Sequence, residues 1–305
     1  MSLKNRKRAF NVLKKRFRSR RVSSLLLEHK INDDLFKKLQ TTAAVYISKC
    51  LPDNKFITNE KKLLKTLEEL ESSIPNITPN GMIVPKRHTI LEYNLLVSAF
   101  SDIIESMNFN DLISSWHIPL NLRIKYGEIN QANMKRHHPT EHIHSDSWAG
   151  ESSESVTVHI PIFGDVPNNH VCFYEPPEEF EEEWLKPRPS YIDGEEIAKK
   201  YSKIDFVPRK GRILLADFAG LHASTRLPNA GPRISIDTTF VLKRPGDERK
   251  PETIHPWREN ERASQETLGS LGSDHLFYFA DTNEQFVDSE GGFKHPTNLE
   301  VLEIV

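Results

Sequence analysis

Residues 142 to 148 read His-Ile-His-Ser-Asp-Ser-Trp, and far downstream stands Leu221-His222-Ala223. His144 and Asp146 are separated by one residue. In an extended strand such neighbours share a face, roughly 6.6 to 7 Å apart along the backbone, and can converge on one ion. His222, from a distant strand, would complete a set of two imidazoles and one carboxylate. That set suits non-haem Fe(II), because it holds one face of the ion and leaves positions open for a co-substrate and O2. His142 lies on the same strand face and could stand in for Asp146, but a carboxylate is needed to offset the charge of the ion. His137 and His138 fall in a basic loop, Lys135-Arg136-His137-His138, and are expected near the entrance rather than at the metal.

Arg233-Ile234-Ser235 follows His222 after ten residues. A hairpin turning near Asn229 accounts for that spacing. It would set residue 222 opposite about 236 and put Arg233 roughly 10 Å from the metal-binding level. An Arg reaching back could grip the far carboxylate of a five-carbon dicarboxylic acid whose other end chelates the metal, since its planar fork makes two charge-assisted hydrogen bonds. Ser235 shares the face and can donate another. A divalent ion, one carboxylate, a dianion and Arg233 then sum to near zero charge, as a buried pocket requires.

In order and spacing, His144-x-Asp146, seventy-five residues, His222, ten residues and Arg233-x-Ser235 resemble the 2-oxoglutarate/Fe(II)-dependent oxygenases. The surroundings are similar to the phytanoyl-CoA hydroxylase-like branch: Val158-His159-Ile160-Pro161-Ile162, Asn169, Gly211 before Ile213-Leu214-Leu215, His222-Ala223-Ser224, Asn229 and Pro232-Arg233-Ile234-Ser235-Ile236. The resemblance covers residues 119 to 244. It implies a double-stranded β-helix (jelly roll, cupin-like) core with helices packed outside. It also implies His144, Asp146 and His222 as metal ligands, Arg233 and Ser235 on 2-oxoglutarate, and consumption of O2 with release of succinate and CO2. The expected outcome is hydroxylation of an unactivated C–H bond, with desaturation or ring closure as variations. Asp146 speaks against a halogenase, where a small residue leaves room for halide. Tyr126-Gly127 resembles a Tyr that contacts 2-oxoglutarate in some members, and a core aromatic is the alternative for it.

Around the triad, Arg233, Ser235, Asp237 and Thr239 would share the inward face, with Thr157 and His159 beside them and Ile234, Ile236 and Phe240 outward. Trp148 is a plausible pocket wall. Substrate contacts are therefore expected from Trp148, Thr157, His159 and Asp237, and a small polar molecule is the expected substrate. Two alternatives stay open: the same chemistry on a protein or nucleic acid, and a non-catalytic metal-binding barrel with an interaction role.

The elements that must position these residues change character along the chain. Residues 1 to 21 hold ten Lys or Arg and no acid, with Phe10, Leu13 and Phe17 on one helical face. Packing on the body is the first expectation for this helix; nucleic acid or a protein partner is the second. Asn32 or Asp33 can cap a helix through Leu35, Leu39, Ala43 and Ile47. Asn59 to Ser73 forms another. Thr89 and Glu92 have capping-box spacing and open a helix to about Met107, with Leu91, Leu95, Leu96, Ala99, Phe100 and Ile103 as its apolar face. Alternation predicts strands at Leu120–Tyr126 and Ser155–Phe163; Val171–Tyr174, Arg212–Asp217 after the Lys210-Gly211 turn and Arg233–Leu242 after Pro228–Pro232 are three more, and short strands broken by Gly, Pro and Asn imply an antiparallel sandwich or barrel in an α+β, mainly β, fold. The division expected is a helical region, 1 to 88, an oxygenase core, 89 to 250, and an irregular C-terminal extension, 251 to 305, all in one globular unit. The core carries a helical insert from Pro176 to Ser202, with an acidic run Glu178 to Glu183. The extension is pinned by Leu276-Phe277-Tyr278-Phe279.

Composition bounds the rest. The 305 residues are 37 % hydrophobic and 28 % charged, with formal net charge −2. The whole molecule gives no case for a nucleic-acid or membrane surface, and no run of 18 apolar residues occurs. Cys50 and Cys172 are expected as buried thiols in a reducing compartment. With no secretory signal pattern, the cytoplasm is the default.

Overall fold

The computed structural model describes residues 1–53, 56–70, 74–109, 112–117, 120–242, 262–264, 275–280 and 299–303. Helix α1 (Leu3–Phe17) leads into strands β1 (Arg20–Ser23) and β2 (Leu26–Lys30), followed by α2 (Asp33–Cys50), α3 (Glu60–Leu70) and α4 (Ile90–Ser106). Next come β3 (Ile113–His117), β4 (Asn121–Lys125), β5 (Ser155–Gly164), β6 (Asn169–Glu175), a short α5 (Glu195–Ala198), β7 (Ser202–Lys203), β8 (Arg212–Asp217), β9 (Leu221–Arg226) and β10 (Arg233–Leu242). The last described strands are β11 (Arg262–Ser264), β12 (His275–Phe279) and β13 (Leu299–Glu303).

The strands pair antiparallel. The large sheet runs β1-β2-β8-β5-β10-β3-β11, with β4 also on β10; a small sheet runs β7-β6-β9; β12 pairs β13. At the centre, β5 and β10 are in register with Val156 opposite Phe240, Ile160 opposite Ile236, His159 opposite Asp237 and Thr157 opposite Thr239. Period-two alternation therefore gives the sheet two unlike faces. Val156, Val158, Ile160, Ile162, Ile234 and Ile236 join one cluster with Leu39 and Ile47 of α2, Leu67 of α3 and Phe100 and Ile103 of α4. Each such fully buried side chain contributes about 1.5–3 kcal/mol. The opposite face carries Thr157, His159, Arg233, Ser235 and Asp237. Further along it, Leu214 and Ala216 of β8 pack with Val171 and Phe173 of β6, so the small sheet lies over this polar face.

The structure corrects several local expectations. A 3-10 turn, Arg87–Thr89, precedes α4, and the Thr89 hydroxyl bonds the backbone of Lys86 instead of capping with Glu92. The buried face of α4 is Tyr93, Leu96, Val97, Ala99, Phe100, Ile103 and Ile104; Leu91 and Leu95 lie about 100° further round, exposed. The basic N-terminal helix ends at Phe17, with Arg18 in a left-handed C-cap, and Arg20 and Arg21 belong to a strand. The hairpin β1-β2, unforeseen, extends the large sheet through β8. The acidic run is not a helix: only Glu182–Leu185 forms a 3-10 turn, between Pro-rich segments that restrict helical backbone.

Cys50 and Cys172 are buried free thiols. Of the expected C-terminal extension, residues 251–261, 265–274, 281–298 and 304–305 lie outside the described residues. Phe277 of the apolar island is buried, edge-on to Tyr93 at 5.3 Å, and its backbone bonds both ends of the Asn94 amide. Among the described residues, no helix is long and apolar enough to cross a membrane.

Candidate metal centre

His144 and His222 come together through the backbone. Residue 144 makes an isolated antiparallel bridge to β9, in which each residue donates its N–H to the other's carbonyl at 2.9 Å. Asp146 arrives differently. The expected strand through 144 to 146 is absent, and Asp146 instead opens a 3-10 turn, Asp146–Ala149. Ser145 caps this turn and Gly150 closes it at φ 95. Ser145 Oγ bonds Ser147 N and donates to the Phe218 carbonyl, tying the turn to the segment just before His222. The local cap, not strand alternation, turns the carboxylate back towards the rings.

The outcome is one cluster. Asp146 Oδ1 lies 3.6 Å from His144 Nε2 and 3.7 Å from His222 Nε2, and the ligand atoms are all within 4.8 Å of one another. His142, the rival ligand, contributes its backbone carbonyl: His144 Nδ1 donates to it at 2.7 Å. That bond sets the tautomer and leaves Nε2 as acceptor. This Nε2 is buried with no hydrogen-bond partner, a condition a bound cation would relieve. Tyr191, from the insert, stacks on the His144 ring at 4.0 Å and 18°.

The protonation states suit metal binding. Burial raises the Asp146 carboxyl, but His222, His144 and Arg123 nearby hold it well below the usual carboxylate range. Burial pushes the His222 imidazole down to about 4, with His144 adding to the shift, against the attraction of Asp146. The site thus presents an ionised carboxylate beside a neutral ring, as ligation requires. Two nitrogens and one oxygen, convergent and carrying an orphaned buried acceptor, fit a divalent transition metal.

Arg233 is 2 % exposed on β10. It donates to Ser235 Oγ at 3.0 Å and contacts His159 Nε2 at 3.2 Å, while its Nε is buried without a partner. Burial lowers the guanidinium to about 10; burial and then Arg233 hold the His159 ring well below its ordinary value. Among the described residues no carboxylate forms an ion pair with Arg233, so its charge is available to an anion. The expected hairpin between His222 and Arg233 does not form. β9 pairs β6 in the small sheet, and β10 pairs β3, β4 and β5 in the large one. The crossing is held by Gly231, whose N–H goes to Asp165 and whose carbonyl takes the Asn169 amide.

The other expected contacts divide. Thr157 Oγ1 donates to Asp146 Oδ2 at 3.4 Å, a support for the ligand. Asp237 is committed to Arg123, at 2.6 and 3.0 Å, and to Asn121. Trp148 is fully buried among Tyr191, Ala198, Tyr201 and Leu221, with its indole N–H on the Trp184 carbonyl, so it anchors the insert. The ring of Tyr126 packs against the main core, and its carbonyl accepts from Arg226 and Asn169. His138 lies edge-on to Tyr191, and the His137 carbonyl accepts from Tyr191 N; the basic loop holds this aromatic in place.

Two groups were missed in the sequence. Arg123 and Lys125 alternate with apolar residues on a recognised strand, and that alternation already put them on the inward face. Lys125 forms a buried network with Thr140, Glu141 and Arg226. Tyr191 left no signal, because nothing in the insert's composition reports which ring reaches His144.

No known protein-family model matches this chain, and no curated protein matches it. Solved structures similar to it include an N-substituted L-amino acid dioxygenase from Burkholderia ambifaria AMMD in complex with alpha-ketoglutarate, at 11 % identity and TM-score 0.38, covering 76 % of this chain and 87 % of that one. The non-haem alpha-ketoglutarate-dependent epimerase SnoN of nogalamycin biosynthesis is similar at 13 % and 0.36, covering 70 % and 92 %. EctD from S. alaskensis, with 2-oxoglutarate and 5-hydroxyectoine, is similar at 14 % and 0.35, covering 77 % and 78 %. Likeness at this level carries no weight for the chemistry, which rests on the chain's own residues.

Proposed function

We propose that this protein is an Fe(II)- and 2-oxoglutarate-dependent oxygenase built on a double-stranded β-helix, of the phytanoyl-CoA hydroxylase-like type. Its product would be a hydroxylated small polar molecule, formed with release of succinate and CO2. The observation that carries the reading is the pairing of two incomplete sites. A cluster of two imidazoles and a carboxylate ends in an orphaned buried Nε2, and a buried Arg233 on the facing sheet forms no ion pair with a carboxylate among the described residues. One site asks for a cation and the other for an anion.

His144, Asp146 and His222 would hold the iron, and Arg233 with Ser235 the distal carboxylate of 2-oxoglutarate. Bound Fe(II) would supply reductive activation of O2 and the oxidising power for an unactivated C–H bond. The chain's own part is placement. The His142 carbonyl keeps the His144 proton on Nδ1, away from the ligating atom. Thr157 steadies the outer oxygen of Asp146. Tyr191 covers the His144 ring and keeps water from it. His159, held neutral by burial and Arg233, accepts from the guanidinium without competing for its charge. Asp237, Asn121 and Arg123 make the inward face polar, which favours a polar substrate over a fatty chain.

The test is anaerobic addition of Fe(II) and 2-oxoglutarate. A visible charge-transfer band is expected, lost in His144→Ala and in Asp146→Ala. Succinate release on admitting O2, in a screen of small polar molecules, then finds the substrate. Colour that persists unchanged in His144→Ala would overturn the assignment.

A further inference from the structure

We propose that Arg6, on the N-terminal helix, is a positioning residue for the metal centre. Its guanidinium is 0 % exposed although it belongs to the most basic stretch of the chain. Its Nε donates to the Met1 carbonyl at 3.2 Å, and it makes three further ties beyond its own helix. NH1 donates to Asp217 Oδ1 at 2.8 Å, NH2 donates to the Ser153 carbonyl at 2.9 Å, and NH2 also pairs with Glu182.

Each tie leads to a wall of the site. Asp217 ends β8, and the same Oδ1 accepts from Ala219 N at 2.8 Å, fixing the turn whose chain continues into His222. The carbonyl of Phe218, inside that turn, holds Ser145, the cap beside both His144 and Asp146. Ser153 leads from the Asp146 turn into β5, which carries Thr157. Glu182 lies in the insert that delivers Tyr191 to the His144 ring. One buried cation thus binds the segments bearing the ligands, their cap and their aromatic cover.

The chemistry favours Arg here. A buried carboxylate such as Asp217 needs a charged, multiply donating partner, and a guanidinium spreads five donors over three nitrogens in a fixed fork, a wider span than the single nitrogen of an ammonium. Burial raises the Asp217 carboxyl and Arg6 draws it back, so the two charges depend on each other. Phe10, Leu13 and Phe17 hold α1 on the body through apolar contact. Lys7 and the Met1 amino group also pair with the insert, at Glu178 and Glu182, but among the described residues Arg6 is the member of this helix that reaches Asp217.

This inference rests on the metal-site reading, so its test has one arm that needs no metal. Arg6→Met, Arg6→Lys, Asp217→Asn and Leu13→Ala are compared in the full chain. Leu13→Ala loosens the same helix without touching Asp217. In the metal-free protein, hydrogen exchange is expected to accelerate at residues 218–222 and 144–147 in Arg6→Met, beyond that in Leu13→Ala at equal distance below Tm. Co(II) titration is expected to show affinity weakened about tenfold in Arg6→Met, the scale typical of groups that orient metal ligands, partial recovery in Arg6→Lys, and wild-type affinity in Leu13→Ala. If Arg6→Met does not fold, Asp217→Asn, which keeps the shape and removes the charge, decides. Equal exchange patterns in Arg6→Met and Leu13→Ala would overturn the proposal. A wild-type protein that binds no Co(II) would overturn the metal site, and the exchange arm would still decide the role of Arg6.

Discussion

His144 and His222 are hydrogen-bonded to each other through their backbones at 2.9 Å in both directions, with ring centroids 4.3 Å apart. Two candidate ligands far apart in sequence thus share one bridge, and the spacing of their rings is set by main chain. His222→Ala removes a ligand while keeping that bridge. We expect divalent-metal affinity to fall by more than the roughly 10–100-fold seen when only a supporting partner is lost. Co(II) titration followed by its visible bands measures this, and a thermal scan should show little change without metal.

Arg233→Gln should weaken 2-oxoglutarate binding by about 10- to 150-fold, the range of a charged hydrogen bond worth about 1.5–3 kcal/mol. Arg233→Lys keeps the charge but loses the fork and should fall between. Ser235→Ala should cost less than either. Titration of the metal-loaded protein with 2-oxoglutarate checks the order.

Tyr191→Phe keeps the ring stacked on His144 and should leave metal affinity unchanged. Tyr191→Ala removes a contact worth about 0.5–1.5 kcal/mol and bares the ring to water, so affinity should drop by about 2- to 10-fold. Equal affinity for all three proteins would show that the stack does not matter.

Glu141 gives a pH signature. Burial raises its carboxyl, but Lys125 and Arg226 outweigh this and hold it at about 2, below its ordinary 4.5. A depressed folded-state pKa means the contribution is fully present above pH 4.5 and lost as pH falls towards 2. The change corresponds to at most about 3 kcal/mol. Burial lowers the Lys125 ammonium to about 7 and Glu141 draws it back, so without Glu141 it falls further. The stability gap between wild type and Glu141→Gln should therefore widen as pH drops through 7 and narrow below 4.5 in denaturant titrations.

The strands carrying Arg233, Thr157 and His159 were legible because alternation is a local property, visible in β5 and β10 before any packing is known. The identities of the three ligand candidates were legible for another reason: few residue types bind metals, and these recur at telling intervals. The route by which they meet was not. Asp146 reaches the cluster through a capped 3-10 turn, and His222 through a sheet that does not contain β10. Both depend on contacts between distant residues, Ser145 with Phe218 and Asn169 with Gly231. Arg6 was hidden by its setting, since a charged residue in a basic run gives no sign that it alone is buried.

The absence of the β9-β10 hairpin has a mechanical consequence. The candidate ligand His222 hangs on the small sheet and Arg233 stands on the large one, so the gap between them is set by how the two walls sit. A diacid gripped at both ends would act as a strut across that gap, and its length would be sensed as strain by the whole sandwich. Shorter and longer diacids should then differ in how far they raise Tm in the metal-loaded protein, apart from any difference in turnover.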